Sequence, residues 1–214
     1  MIQIKQFTFN HFGVNCYVLA DRASKECAIV DPSAEASYED AQLAQYLEAN
    51  GLSPKMVLLT HAHVDHVAGL REACERFKLP VSFHPDGAKY LRQADAYGNV
   101  MGFEVGRLDD LDQAPLADGQ KLLLGESEIE CRLCPGHCPG SLCYVLKEEK
   151  AVLTGDALFR LSIGRTDLPG GDYNTLIDCL KRRILSLDED FEVLPGHGEH
   201  STIGEELRYN SFLN

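Results

Sequence analysis

Residues 2–9 (IQIKQFTF) and 14–20 (VNCYVLA) alternate apolar and polar positions, the period-two signature of strands with one buried face. His11, Phe12 and Gly13 read as the turn between them and 27–31 (CAIVD) as a third strand, so the chain opens on an antiparallel meander. Across 36–49, Ala41, Leu43, Ala44, Tyr46 and Leu47 fall on or near one helical face, with Gly51 placed as a C-terminal cap. The continuously apolar run MVLLT (56–60) predicts a strand covered on both faces, ending at His61, and a helix from near Val67 to Phe77 follows. The second half predicts strands near 81–84, 121–125, 128–134, 142–146 and 151–154, a helix at 173–186 and a last strand at 191–194. The stretch 86–118, rich in Asp, Gly and Pro, predicts a helix plus an excursion loop. Strands and helices alternate without a dividing linker, so the expectation is an α+β fold in one domain spanning 1–214.

Composition narrows the function classes. Apolar content of 44% and charged content of 25% are ordinary for a globular chain, and no apolar run is long enough to span a bilayer. A formal charge of −13 disfavours a phosphate backbone, so neither nucleic acid nor membrane is an expected partner. The amino terminus lacks the basic flank and apolar stretch of a signal peptide, and eight cysteines without an export signal suit a reducing compartment, so the expected location is cytoplasmic. Oligomeric state is not legible.

The chemistry concentrates in His61-Ala62-His63-Val64-Asp65-His66, three imidazoles and a carboxylate within six residues. Imidazole and carboxylate together suit Zn²⁺ and neighbouring divalent ions, and one cation cannot easily take all four groups, so two metals are expected. His137 in CPGHCPGS, Asp156 in LTGDALF and His197 in LPGHGEH supply further ligands, each beyond an apolar strand and directly after a glycine. Any one of them could be an ordinary turn residue or cap; the joint pattern is not explained that way.

These segments resemble the metallo-β-lactamase superfamily along nearly the whole chain: VNCYVLA, AIVDPSA, LLTHAHVDHVAG, PGHCPGS, LTGDALF and LPGHG are successive matches. The resemblance implies a four-layer αββα sandwich with metals at one edge. It assigns His61, His63 and His137 to one metal, Asp65, His66 and His197 to the second, and Asp156 as the bridging carboxylate. Zinc is the expected pair, with iron or manganese compatible. A hydroxide held between them would attack an acyl carbonyl, oriented by Asp65 as the catalytic carboxylate, and a thiolate would leave with little acid assistance.

Within the superfamily, GDALF (155–159) and IGRTDLPGG (163–171) look most like the short bacterial glyoxalase II group, which hydrolyses S-lactoylglutathione, so a small-molecule thioester is the expected substrate. Arg165 and Arg208 fall where that group carries substrate-binding basic residues, although an Arg165–Asp167 surface pair and an exposed helical Arg208 are the plainer readings. Asp167 stands where tyrosine is usual, and the 17 residues after His197 are too few for the helical domain that completes a glutathione pocket. The alternative is a mononuclear-iron persulfide dioxygenase, which shares GRTD and would use His61, His137 and Asp156; outside enzymes, the alternative is a metal-binding interaction module. A lactam or lactone hydrolase leaves GRTDLPGG without a role. Cys131, Cys134 and Cys138 read as small buried residues rather than a metal knuckle, with Cys138 the one candidate for reactivity. His11, His84 and His200 read as loop histidines, with His11 placed to border the site.

Overall fold

A computed structural model describes residues 1–213; residue 214, the last of the predicted domain, lies outside the described residues. The opening meander comprises β1 (Ile2–Phe9), β2 (Val14–Asp21) and β3 (Glu26–Val30), followed by α1 (Ser37–Ala49), β4 (Ser53–Leu58), α2 (Leu70–Phe77), β5 (Val81–Phe83), α3 (Ala88–Met101) and β6 (Gln113–Pro115). These strands form one six-stranded sheet in sequence order, antiparallel through β3 and parallel from β3 to β6. The second half supplies β7 (Lys121–Leu124), β8 (Ser127–Leu133), β9 (Leu142–Leu146), β10 (Ala151–Gly155), the small hairpin β11 (Leu158–Phe159) and β12 (Ser162–Ile163), α4 (Tyr173–Cys179), β13 (Glu192–Pro195), β14 (Ser201–Thr202) and α5 (Ile203–Tyr209). The second six-stranded sheet runs β14-β13-β10-β9-β8-β7.

The sheets pack face to face through Tyr17, Leu19, Ala28 and Leu58 on one side and Ile129, Tyr144 and Leu153 on the other. Outside the first sheet, Leu43 and Leu47 of α1 cover Phe9, Val18 and Ile29, while α2 and α3 cover Val57 and Val81. Outside the second, Leu176 and Cys179 of α4 and Ile203 of α5 pack on Val145, Val152 and Val193. Helix, sheet, sheet, helix is the αββα sandwich. The two sheets are tied at the end of β4, where Leu142 N–H donates to Thr60 O at 2.7 Å and the Tyr144 hydroxyl to Leu59 O at 2.6 Å.

Four local expectations are corrected. β2 is not half-buried; all eight residues are buried, because the second sheet covers one face and α1 the other. β4 runs Ser53–Leu58 rather than 56–60, and α2 begins at Leu70 rather than 67, since Val64–Val67 forms a separate 3₁₀ turn. At the junction Gly69 sits where a Cβ would lie 2.7 Å from Ala34 O, so close backbone contact sets that boundary rather than helix propensity. The 173–186 helix is α-helical only through Cys179 and then widens into a π-turn over Leu180–Ile184.

Candidate metal centre

All seven residues picked out by the sequence converge beyond the C-terminal ends of β4, β8, β10 and β13. Their ligand atoms fall into three groups, each within 4.8 Å: His61, His63 and His137; Asp65, His66 and His197; and His61, His66 and Asp156. The first two are the sets the family resemblance assigned to the two metals. Asp156 lies between them, with Oδ2 3.6 Å from both His137 Nε2 and His197 Nε2 and Oδ1 3.2 Å from His66 Nε2. Asp156 is thus within reach of both groups.

Hydrogen bonds on the far side of each ring decide which nitrogen faces the cleft. Asp31 Oδ2 only accepts, so His66 donates Nδ1–H to it at 2.9 Å and turns Nε2 inward. The Thr60 hydroxyl donates to the same Oδ2 at 2.6 Å and so accepts His61 Nδ1–H at 3.2 Å. His137 donates Nδ1–H to Arg165 O at 2.8 Å, and His197 to Phe12 O at 3.1 Å. Four imidazoles thus present Nε2 to one small volume, where His66 and His197 bring these atoms within 3.3 Å; His63 presents Nδ1, 2.9 Å from His137 Nε2.

These residues fit a pair of divalent ions. Among the described residues, His61 Nε2 and Asp156 Oδ1 are buried with no hydrogen-bond partner, a costly state that a cation relieves. Burial pushes His61 well below the usual imidazole value and His63 down to about 4, so both offer unprotonated nitrogen. Burial also pulls on His66, but the carboxylates of Asp156, Asp65 and Asp31 outweigh it and raise that ring. Burial opposes ionisation of Asp156 and Asp65, yet the neighbouring His66 keeps both below the ordinary carboxylate range.

Glycines before the ligands provide room. A Cβ on Gly155, at φ +49°, would meet Thr60 Oγ1 at 2.5 Å; one on Gly196 would meet Asp156 Oδ1 at 2.3 Å.

Several supporting residues were missed by sequence reasoning. Asp31, within AIVDPSA, closes an apolar strand as Asp156 does, and that shared placement is the one sequence signal it carries. Asn10 donates to Asp65 O at 2.9 Å, Asn15 to Pro195 O at 3.0 Å, and Glu39 accepts Asn10 N–H at 2.9 Å, bracing the ligand loops from the first turn. Nothing in periodicity distinguishes such groups.

A cavity of about 450 Å³ opens beside the metal centre, walled by Phe12, Tyr90, Tyr97 and Met101 and bordered by Arg165. Arg165 therefore stands at the site, with its guanidinium in a fork to Asp167 at 2.7 and 2.8 Å. Arg208 lies outside the cavity wall, paired with Glu189 on the surface. Cys138 is buried and its thiol pushed up to about 12 by burial, so it is not a reactive thiolate. His11 stacks on Phe103 and bonds Glu35, bordering the cavity only through its neighbour Phe12.

The fold and this histidine–aspartate constellation define a metallo-hydrolase type of site. Residues 10–197 match the profile of the metallo-β-lactamase superfamily, and the chain belongs to that superfamily. It is 38% identical to the probable metallo-hydrolase YqgX of Bacillus subtilis, over 94% of this chain and 92% of that one. It is 36% identical to hydroxyacylglutathione hydrolase GloC of Haemophilus influenzae (95% and 94% covered), and 33% identical to the human mitochondrial persulfide dioxygenase ETHE1 (92% and 70%). Among solved structures, the BLEG-1 B3 metallo-β-lactamase is similar with TM-score 0.89 and 33% identity, over 99% of this chain and 100% of that one. TTHA1623 in a di-iron-bound form is similar with TM-score 0.86 and 35% identity, over 98% and 100%.

Proposed function

We propose that this chain is a glyoxalase II-like thioesterase, one domain working in the cytoplasm on S-lactoylglutathione or a related small-molecule acyl-thiol ester. The observation that carries the reading is the complete two-metal ligand set beside a substrate-sized cavity. Similarity to GloC over nearly the full length of both chains supports the thioester, and eight cysteines, all free and buried, support a reducing compartment.

His61, His63 and His137 would hold one cation, Asp65, His66 and His197 the other, and Asp156 would bridge; zinc suits the donors, and iron does too. When bound, the cations lower the pKa of water towards neutrality and polarise the acyl carbonyl. Asp65, with Oδ2 3.3 Å from His197 Nε2, is placed to take the proton of the attacking water. A C–O bond forms from that water, the C–S bond breaks, and the proton goes to the departing thiolate. Asp31, Thr60 and the Arg165 carbonyl hold the rings still during these steps.

Similarity to ETHE1 supports a second reading, a mononuclear-iron persulfide dioxygenase using His61, His137 and Asp156. One experiment separates the two: metal analysis of purified protein alongside turnover of S-lactoylglutathione and oxygen consumption with glutathione persulfide. Hydrolysis with two metals per chain is the expected result; oxygen consumption with one iron and no hydrolysis would sink the thioesterase. Nitrocefin is the control for lactam cleavage.

A further inference from the structure

Helix α3 carries an apolar stripe whose outer half is left open to solvent. Tyr90, Ala94, Tyr97 and Met101 follow at spacings of four, three and four residues, which places them on one helical face, and all four line the cavity beside the metal centre. The first two are buried against the protein, Tyr90 with its ring against His63 and its hydroxyl bonded to Pro169 O. Tyr97 and Met101, further out, are 40% and 41% exposed, and Phe12 at 45% faces the same space from the first turn. This wall thus runs from a metal ligand to the protein surface and is mainly apolar.

Charge on the cavity is just as uneven. Among the described residues, Arg165 is its only basic side chain apart from the histidines, and two of its donors are already committed to Asp167. The glutathione moiety carries two carboxylates beside one ammonium, and this chain has a formal charge of −13. One guanidinium, already forked to Asp167, can meet only one of those carboxylates, and the wall beyond it is mainly apolar.

Resting on the thioesterase reading above, the geometry points to a narrower substrate class: thioesters with an extended apolar arm laid along Phe12, Tyr97 and Met101, and at most one anionic group, met by Arg165. The arm can belong to the acyl or to the thiol half; both present the same chemistry to the wall.

The test uses the full-length, metal-loaded protein and two substrate series, each read as kcat/KM. In the first, the acyl group on N-acetylcysteamine grows from acetyl to butanoyl to hexanoyl. In the second, the acyl group stays acetyl while the thiol grows from ethanethiol to hexanethiol, whose similar acidity keeps leaving-group ability constant. A fully buried methylene is worth about fourfold, so four of them on a half-open wall give on the order of tenfold in whichever series carries the arm. Tyr97→Ser and Met101→Ser should each shrink that long-to-short ratio, a readout that a general loss of activity leaves untouched. A rise in the acyl series assigns the arm to the acyl half, and a rise in the thiol series to the thiol half. Both series flat, with S-lactoylglutathione turned over faster than any of them, overturns the inference while leaving the thioesterase intact. No turnover of any thioester overturns both.

Discussion

Asp31 and His66 are joined at 2.9 Å behind the metal centre, with the carboxylate taking the imidazole Nδ1–H and thereby aiming Nε2 into the cleft. The same Oδ2 takes the Thr60 hydroxyl that orients His61, so one buried side chain sets rings belonging to both predicted metals. Asp31→Asn is therefore expected to weaken metal retention about 10–100-fold, the usual cost of losing such a partner. Asn tolerates the φ of +50° found here, so the backbone has no reason to change. Competition with a chelator, read by elemental analysis, checks this; retention equal to the parent protein would remove Asp31 from the site.

Ligand removal should act on chemistry rather than on folding, because the core is formed by two sheets and their helices without help from the site. His61→Ala and Asp156→Ala are expected to lose turnover to background with unchanged circular dichroism, Asp156→Ala losing more bound metal. Near-normal turnover with both metals present in Asp156→Ala would show that this carboxylate does not bridge.

Gly196→Ala tests the same carboxylate from the backbone side. The added methyl would lie 2.3 Å from Asp156 Oδ1 and 2.8 Å from His66 Cε1, so the ligands must move. Overpacking of this kind costs about 1–3 kcal/mol in stability, and displacement of Asp156 should cost most of the activity. A fully active, fully stable variant would mean that the loop yields without disturbing the ligands.

How much of this was legible depends on whether a residue's role leaves a periodic or compositional trace. The strand β8 and the helix α1 are readable because their apolar positions repeat, β10 because it is a short apolar run, and the seven ligands because HxHxDH together with three strand-end His and Asp residues, each directly after a glycine, has no ordinary structural explanation. The strands β6, β11, β12 and β14, of two or three residues each, are too short to show a period. Asp31, Asn10 and Glu39 act through hydrogen bonds to groups distant in sequence, which leave no periodic trace, and nothing along the chain announces the pairing of Arg208 with Glu189. The stripe on α3 lay inside a stretch assigned only to a helix plus a loop.

Acid stability should report on Asp21, which joins the two sheets at their edge. Its carboxylate accepts Ser24 N–H at 2.8 Å and the Ser127 hydroxyl at 2.9 Å, and these bonds, the backbone one foremost, hold it below the ordinary carboxylate value. A group whose folded pKa is depressed stabilises above its unfolded value, about 3.9, and that contribution is lost as pH falls towards the folded value. The urea midpoint of the parent protein should therefore drop from pH 5 to pH 3 more steeply than that of Asp21→Asn. Parallel acid limbs would place the sensitivity elsewhere.

Arg165 separates into two parts with different expected effects. Its carbonyl holds His137 through the 2.8 Å bond to Nδ1, whereas its guanidinium, 62% exposed, reaches the cavity border and is paired with Asp167. Truncation at Cβ spares the first and deletes the second, so Arg165→Ala should leave metal content and kcat nearly unchanged and raise KM for a substrate with a carboxylate, about 1.5–5-fold for a solvated contact. For a substrate without an anionic group KM should hardly move. Asp167→Ala is the complementary change: with its partner gone the guanidinium is released to the substrate, and KM for the same carboxylate should fall. A loss of kcat in Arg165→Ala equal to the loss in kcat/KM would mean that the guanidinium acts in the transition state, and a rise of KM in both variants would mean that the fork to Asp167, not the free cation, is what the substrate meets.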